Sequence, residues 1–338
     1  MARDNLSFYE RPERNDSVAV VGVPIEIGSD ERGLAAAPRY LIDHGLEKVI
    51  TSIGHEVSGI EMIPCPKPTR SVTSGRAKYL EEIAAISRAS CLAVEKAVKK
   101  GTTVLTLGGD HAMAIGTISG AAEALKSEQR SLGVIWIDAH PDCNTHETSI
   151  SGNIHGQVTS ALMGDGHPLL TSVGGTERKV APEHFLYIGL KDMDPLEIDY
   201  LREHSLKTVT MLDIADHGLS RAILAIDALC RKVDTIWVSM DLDSIDEEYA
   251  PGVGLATQGG LTRREVLGLA QYIGKTCALT GVDIVEILPA KDKDKKTAAL
   301  ALELVARFLG GEYNWYQSTY MEEYRQTNAV EIRNDLSA

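Results

Sequence analysis

Four short apolar runs in this chain stop abruptly at acids or histidines, and that pattern restricts the fold more than any other feature. Residues 134–137 (VIWI) lead into Asp138, His140 and Asp142. TVLTLGGDH ends at Asp110 and His111, TIWVSMDLD at Asp241 and Asp243, and GVDIVEILP carries Glu286 near its end. Apolar, β-branched runs bounded by polar residues read as buried strands. Side chains two apart on a strand share a face, so Asp138, His140 and Asp142 can aim at one spot where the strand runs out. Ligands of open parallel sheets bind beyond the carboxyl ends of the strands, so the four ends can share one site.

The rest of the chain supports a parallel sheet. Strand patterns are expected at 18–25, 57–63 (weak), 102–107, 134–137, 185–190, 208–212, 235–240 and 279–287. Helical spacing alternates with them at 34–50, 75–100, 112–126, 155–163, 195–204, 219–232, 262–275 and 296–308. Strand–helix alternation over this length predicts a three-layer α/β/α sandwich around a mostly parallel sheet. No composition break separates two domains. The expected organisation is an N-terminal extension at 1–17, one catalytic domain at 18–311 and a C-terminal tail at 312–338. The tail is dense in aromatics (Tyr313, Trp315, Tyr316, Tyr320, Tyr324), which predicts packing on the body or on a neighbouring subunit.

Composition narrows the function classes. A net charge of −14 argues against nucleic acid as a partner. The five cysteines are widely spaced with no CxxC, as expected of a reducing compartment. Cys143, beside Asp142, reads as a packing residue rather than a nucleophile. The first residues lack the apolar core of a signal peptide, and no apolar run approaches the roughly 18 residues of a membrane span. The expectation is a cytoplasmic protein with no membrane partner.

One aspartate at a strand end is usually a turn former or helix cap. A DxHxD run followed by a separate strand-end DxD is a different matter, because apolar strands rarely gather so many ionisable groups unless something neutralises them. Asp138, Asp142, Asp241 and Asp243 carry four negative charges, which two divalent cations balance, and His111 and His140 add two imidazoles. Oxygen-dominated ligation with some imidazole suits manganese (Mn2+). Two such ions bridging a water make metal-assisted hydrolysis the reaction class.

GGDHAMAIGTISG, WIDAHPDCNTHETSISGNIHG, SMDLDSID and DIVEILPAKD together resemble the arginases, within the arginase–agmatinase (ureohydrolase) family. DAHxD and SxDxD mark the whole family, and N-T-x5-SGNxHG marks its arginase branch. The resemblance implies an eight-stranded sheet, two Mn2+ per subunit, and hydrolysis of L-arginine to L-ornithine and urea by a metal-bridging hydroxide. It implies one metal on His111, Asp138, Asp142 and Asp243 and the other on Asp138, His140, Asp241 and Asp243. His155 matches the family's proton-transfer histidine, and Glu286 the carboxylate that faces the guanidinium. Asn144, Ser151 and Asn153 match the carboxylate-binding loop residues. Asp194 matches the acid that reads the α-amino group, with Asp192 and Glu197 as supporting candidates.

The chain departs from the pattern at three places. His146 stands where arginases have proline, Gly254-Leu255-Ala256 replaces Gly-Thr-Pro, and Ala37-Pro38 replaces Gly-Pro. Leu255 cannot hydrogen-bond, which keeps another guanidino or amidino substrate open: an N-hydroxyarginine, a guanidino acid or formimidoylglutamate. A low-activity arginine- or ornithine-binding regulator is the alternative from another class. Arg264 and Glu265 match a family pair that bridges subunits, consistent with a homotrimer or homohexamer; a charged pair at a helix start is otherwise simply solvated.

Overall fold

The computed structural model describes residues 16–68, 72 and 75–311. Eight strands form one parallel sheet: β1 (Ser17–Val23), β2 (Glu56–Met62), β3 (Thr103–Gly108), β4 (Leu132–Ile137), β5 (Phe185–Leu190), β6 (Lys207–Thr210), β7 (Thr235–Asp241) and β8 (Leu279–Val285). Their spatial order is β2-β1-β3-β8-β7-β4-β5-β6. The helices between them are α1 (Ala37–Asp43), α2 (Leu46–Ser52), α3 (Leu80–Lys99), α4 (Ala114–Lys126), α5 (Val158–Leu162), α6 (Pro168–Thr171), α7 (Pro195–Glu203), α8 (Met211–His217), α9 (Ser220–Cys230), α10 (Arg263–Thr276) and α11 (Lys296–Phe308).

Alternation along β4 shows how the layers arise. Ile135 and Ile137 face a core shared with α9, α10 and α11. Val134 and Trp136 face the opposite core, filled from α3, α4 and α5. Both faces of the sheet are therefore covered, as the three-layer expectation requires. Each fully buried isoleucine of β4 is expected to cost about 2–5 kcal/mol on truncation to alanine.

The sheet order places the site. The four strands with ionisable ends, β3, β8, β7 and β4, lie side by side at its centre. Ile137 pairs with Met240, and Asp241 pairs with Val285. Asp138, Asp241 and Glu286 thus emerge at one edge of one platform.

Three local expectations are corrected. The pattern at 208–212 continues past the strand, but β6 stops at Thr210, whose hydroxyl accepts from Asp213 N while the Asp213 carboxylate accepts from Thr210 N (2.9 Å). That reciprocal cap turns Met211 and Leu212 into the start of α8. The helix expected over 34–50 is broken at Gly45, whose φ of 98° lies in the left-handed region. The helix expected from residue 75 begins at Leu80, after Tyr79 at φ 54°. Most of the N-terminal extension and the whole aromatic tail lie outside the described residues. Among the described residues no helix is long and apolar enough to cross a membrane.

Candidate active site

His111 is delivered by a tight turn after β3. At Gly109 an added Cβ would stand 1.6 Å from Ile25 O, so only glycine lets the two loops approach. Asp110 caps the turn, accepting from Ala112 N (2.9 Å) and Gly28 N (2.8 Å). Its role is the structural one, and its full burial pushes its carboxyl up to about 6.

His111 Nδ1 faces three carboxylate oxygens: Asp138 Oδ2 at 3.1 Å, Asp241 Oδ2 at 3.2 Å and Asp142 Oδ2 at 3.3 Å. His140 Nδ1 faces Asp243 Oδ2 at 3.1 Å and Asp138 Oδ1 at 3.4 Å. All four carboxylates are buried. Asp138 is common to both groups. Of the two β7 acids, Asp241 stands beside His111 and Asp243 beside His140. The reason is local. Asp241 is the last residue of β7, and its Oδ1 accepts from Asp243 N (2.8 Å), so the chain bends and carries Asp243 sideways.

Electrostatics mark the cluster as short of positive charge. Burial and neighbouring acids push Asp142 and Asp241 above the carboxylate range and Asp243 up to about 6. Burial also works to raise Asp138, but the neighbouring His111 and His140 outweigh it and hold that carboxyl low. Burial disfavours charge on both histidines, yet the surrounding carboxylates raise them well above their usual value.

The donor set fits a pair of divalent cations. His111 Nδ1 is buried without a hydrogen-bond partner although three carboxylates converge on it. Its Nε2 is committed to Ser239 Oγ (2.9 Å), whose hydroxyl donates to Asp283 Oδ2 (3.0 Å). That relay fixes the tautomer and turns the Nδ1 lone pair inward. Sequence reading missed Asp283, a lone acid inside an apolar strand. It is fully buried and also accepts from Trp237 Nε1 (2.8 Å), Thr117 Oγ1 (3.0 Å) and Thr106. Trp136, likewise missed, stacks on His111 with centroids 4.0 Å apart and donates to Asp138 Oδ2 (3.0 Å).

His155 and Glu286 meet beside the cluster. Glu286, at φ 65°, accepts from His111 N (2.9 Å), and His155 Nδ1 lies 3.3 Å from its Oε1. Burial opposes charge on His155, but Glu286 outweighs it and raises the imidazole to about 9. Gly254 packs on the same carboxylate, where an added Cβ would stand 2.9 Å from Glu286 Oε2. The neighbouring Leu255 is exposed.

The remaining candidates lie on loops. Asn144 Nδ2 donates to Asp194 Oδ2 (3.2 Å). Both carboxylate oxygens of Glu197 are committed to backbone N–H groups, from Asp194 (3.0 Å) and Cys143 (3.2 Å), and burial pushes its carboxyl up to about 7. Asp192 is exposed and flanks His140, with Oδ2 3.7 Å from Nε2. Ser151 Oγ accepts from Asn153 N (3.2 Å). Cys143 is buried and its thiol is pushed upward by that burial, in keeping with a packing role. The His146 ring stands edge-on to His167, with centroids 5.4 Å apart. Glu265 accepts from Thr262 N (2.8 Å) as the cap of α10.

An arginase-family sequence model matches residues 16–310. The chain belongs to the arginase family. An arginase from Bacillus caldovelox is 36% identical over 296 residues, covering 87% of this chain and 98% of that protein. The crystal structure of a Bacillus cereus arginase superposes with a TM-score of 0.83 at 32% identity, over 88% of this chain and 99% of that one. An Entamoeba histolytica arginase, solved in complex with L-ornithine, gives a TM-score of 0.82 at 28% identity, over 88% and 100%. The protein is accordingly a hydrolase of the amidine-cleaving class to which arginases belong.

Proposed function

We propose that this arginase-family enzyme hydrolyses L-arginine to L-ornithine and urea with two Mn2+ per chain. The observation that carries the reading is the buried, unpartnered His111 Nδ1 facing Asp138, Asp142 and Asp241. His111 with those three acids would hold one ion, and His140 with Asp138 and Asp243 the other. Bound there, a pair of divalent cations supplies countercharge and a water acidified to act as nucleophile near neutral pH.

The chain's own groups do the rest. Glu286 offers a buried carboxylate to the planar guanidinium. His155, with its ordinary value raised to about 9, keeps a proton at neutral pH and can deliver it to the departing ornithine amine. Asn144, Ser151 and Asn153 supply donors for the substrate carboxylate. Asp194 accepts from the α-ammonium, and Asp192 and Glu197 support that end. Glu286 is buried and His155 half-buried, which limits screening of their contact by water.

Leu255 favours a second reading, in which the same centre acts on another guanidino or amidino compound. Urea release by the Mn2+-reconstituted enzyme separates the two. Rapid release from L-arginine but not agmatine, abolished by chelation, supports arginine. Bound metal with no urea from either substrate overturns it in favour of the second reading.

A further inference from the structure

Lys78 is a buried cation that the chemistry above leaves unused. Its side chain is only 10% exposed. Nζ donates to Asp30 Oδ1 (2.9 Å) and Oδ2 (3.1 Å) and to Asn153 Oδ1 (3.0 Å). Asn153 Nδ2 in turn donates to Asp30 Oδ2 (3.1 Å). The carboxamide is therefore held at both ends, its oxygen by the ammonium and its nitrogen by the carboxylate. Flipping it would set N–H against N–H and oxygen against oxygen; the cost falls mainly at the buried Lys78 end, since the Asp30 side chain is 67% exposed.

The backbone around the clamp is fixed in the same way. Lys78 N donates to Gly152 O (2.8 Å), and Gln157 Nε2 donates to Arg76 O (2.8 Å). Gly152 has φ 76°, and a Cβ there would stand 1.8 Å from Gly75 O, so the two segments lie in direct backbone contact. His155 N donates to Gly28 O (3.1 Å), which anchors the Asp30 loop to the same turn. Three segments far apart in sequence thus converge on Asn153, one of the residues expected to meet the carboxylate end of an amino-acid substrate.

We propose that Lys78 and Asp30 are positioning residues that lock the Asn153 carboxamide and so select substrates carrying an α-carboxylate. With its three hydrogens committed, Lys78 acts through Asn153 rather than by touching the substrate. One Asn153 N–H remains to bind a carboxylate, and its direction is set before the substrate arrives. The inference rests on the arginine reading of the pocket.

The test compares Lys78→Met, Lys78→Arg and Asp30→Asn in the Mn2+-loaded full chain. Urea kinetics on L-arginine are paired with calorimetric binding of L-ornithine and of 1,4-diaminobutane, which lacks the carboxylate. Lys78→Met is expected to raise KM and the ornithine Kd about tenfold, with kcat within about threefold and diaminobutane binding unchanged. Lys78→Arg, which keeps the charge, is expected to recover most of the loss. Equal weakening of both ligands, or a fall in kcat at constant KM, overturns the proposal. If Lys78→Met does not fold, the near-isosteric Asp30→Asn decides by the same split. If the wild type binds L-ornithine but releases no urea from L-arginine, the reaction assignment fails while the two Kd values still decide the clamp. No ornithine binding by the wild type overturns the clamp as well.

Discussion

At the centre of the sheet, Asp138, Asp241 and Glu286 follow directly on paired strand residues, so the backbone ladder sets where they stand. The loops around them are held otherwise. Asn144 is fixed by Asp194, Glu197 by two backbone N–H groups, and Asn153 by Lys78 and Asp30. In the first region acids crowd together and depend on countercharge. In the second, each polar group already has a partner within the chain. On the proposed function the difference separates chemistry from selection: the strand ends would hold what every substrate of this reaction class needs, and the loops would distinguish one substrate from another.

The sharpest break should come at the strand ends. His111→Asn is expected to cost on the order of 10³-fold or more in activity together with bound metal, checked by metal analysis beside urea release. His155→Asn should lose about 10²–10⁴-fold with both ions retained, because it removes a proton donor and not a ligand. Equal metal loss in the two variants would erase the distinction between ligand and acid. Asp283→Asn, which touches no substrate, should weaken metal affinity about 10–100-fold by loosening the relay through Ser239, read by metal titration.

Loop variants should move selection instead. Asp194→Ala is expected to raise KM for L-arginine about tenfold while barely changing that of an analogue without the α-amino group. Equal effects on both would remove Asp194 from amino-group recognition. The smallest effect concerns stability. Burial raises the Glu197 carboxyl to about 7, above its unfolded value, so its contribution is fully present below about pH 4.5 and is lost as pH rises through 7. Glu197→Gln should flatten the pH dependence of Tm across that window by roughly 2–4 °C, and an unchanged slope would show that the burial does not matter.

The same division explains what the sequence disclosed. Asp138, His140 and Asp142 were legible as a run of acids and histidine at the end of an apolar strand, although they lie in the turn after β4, with Asp142 at φ 50°, and not on the strand itself. Which β7 acid meets His111 was not, since it depends on the pairing of β7 with β4 and on the bend at Asp241. Asp283 was missed in its apolar run, because its meaning depends on Ser239 and Trp237 beside it. The start of α8 was hidden because Thr210 and Asp213 form a cap inside a run that also suits a strand. Lys78 gave no signal, because its partners lie 48 and 75 residues away.

A manganese titration of metal-free protein, with bound ions and urea release from L-arginine followed on the same samples, tests the central claim most directly. The account predicts two ions per chain, activity that rises as they bind, and no activity in chelator. Full activity in chelated protein, or saturation with no ion bound at the cluster of His111, His140 and the four aspartates, would contradict it.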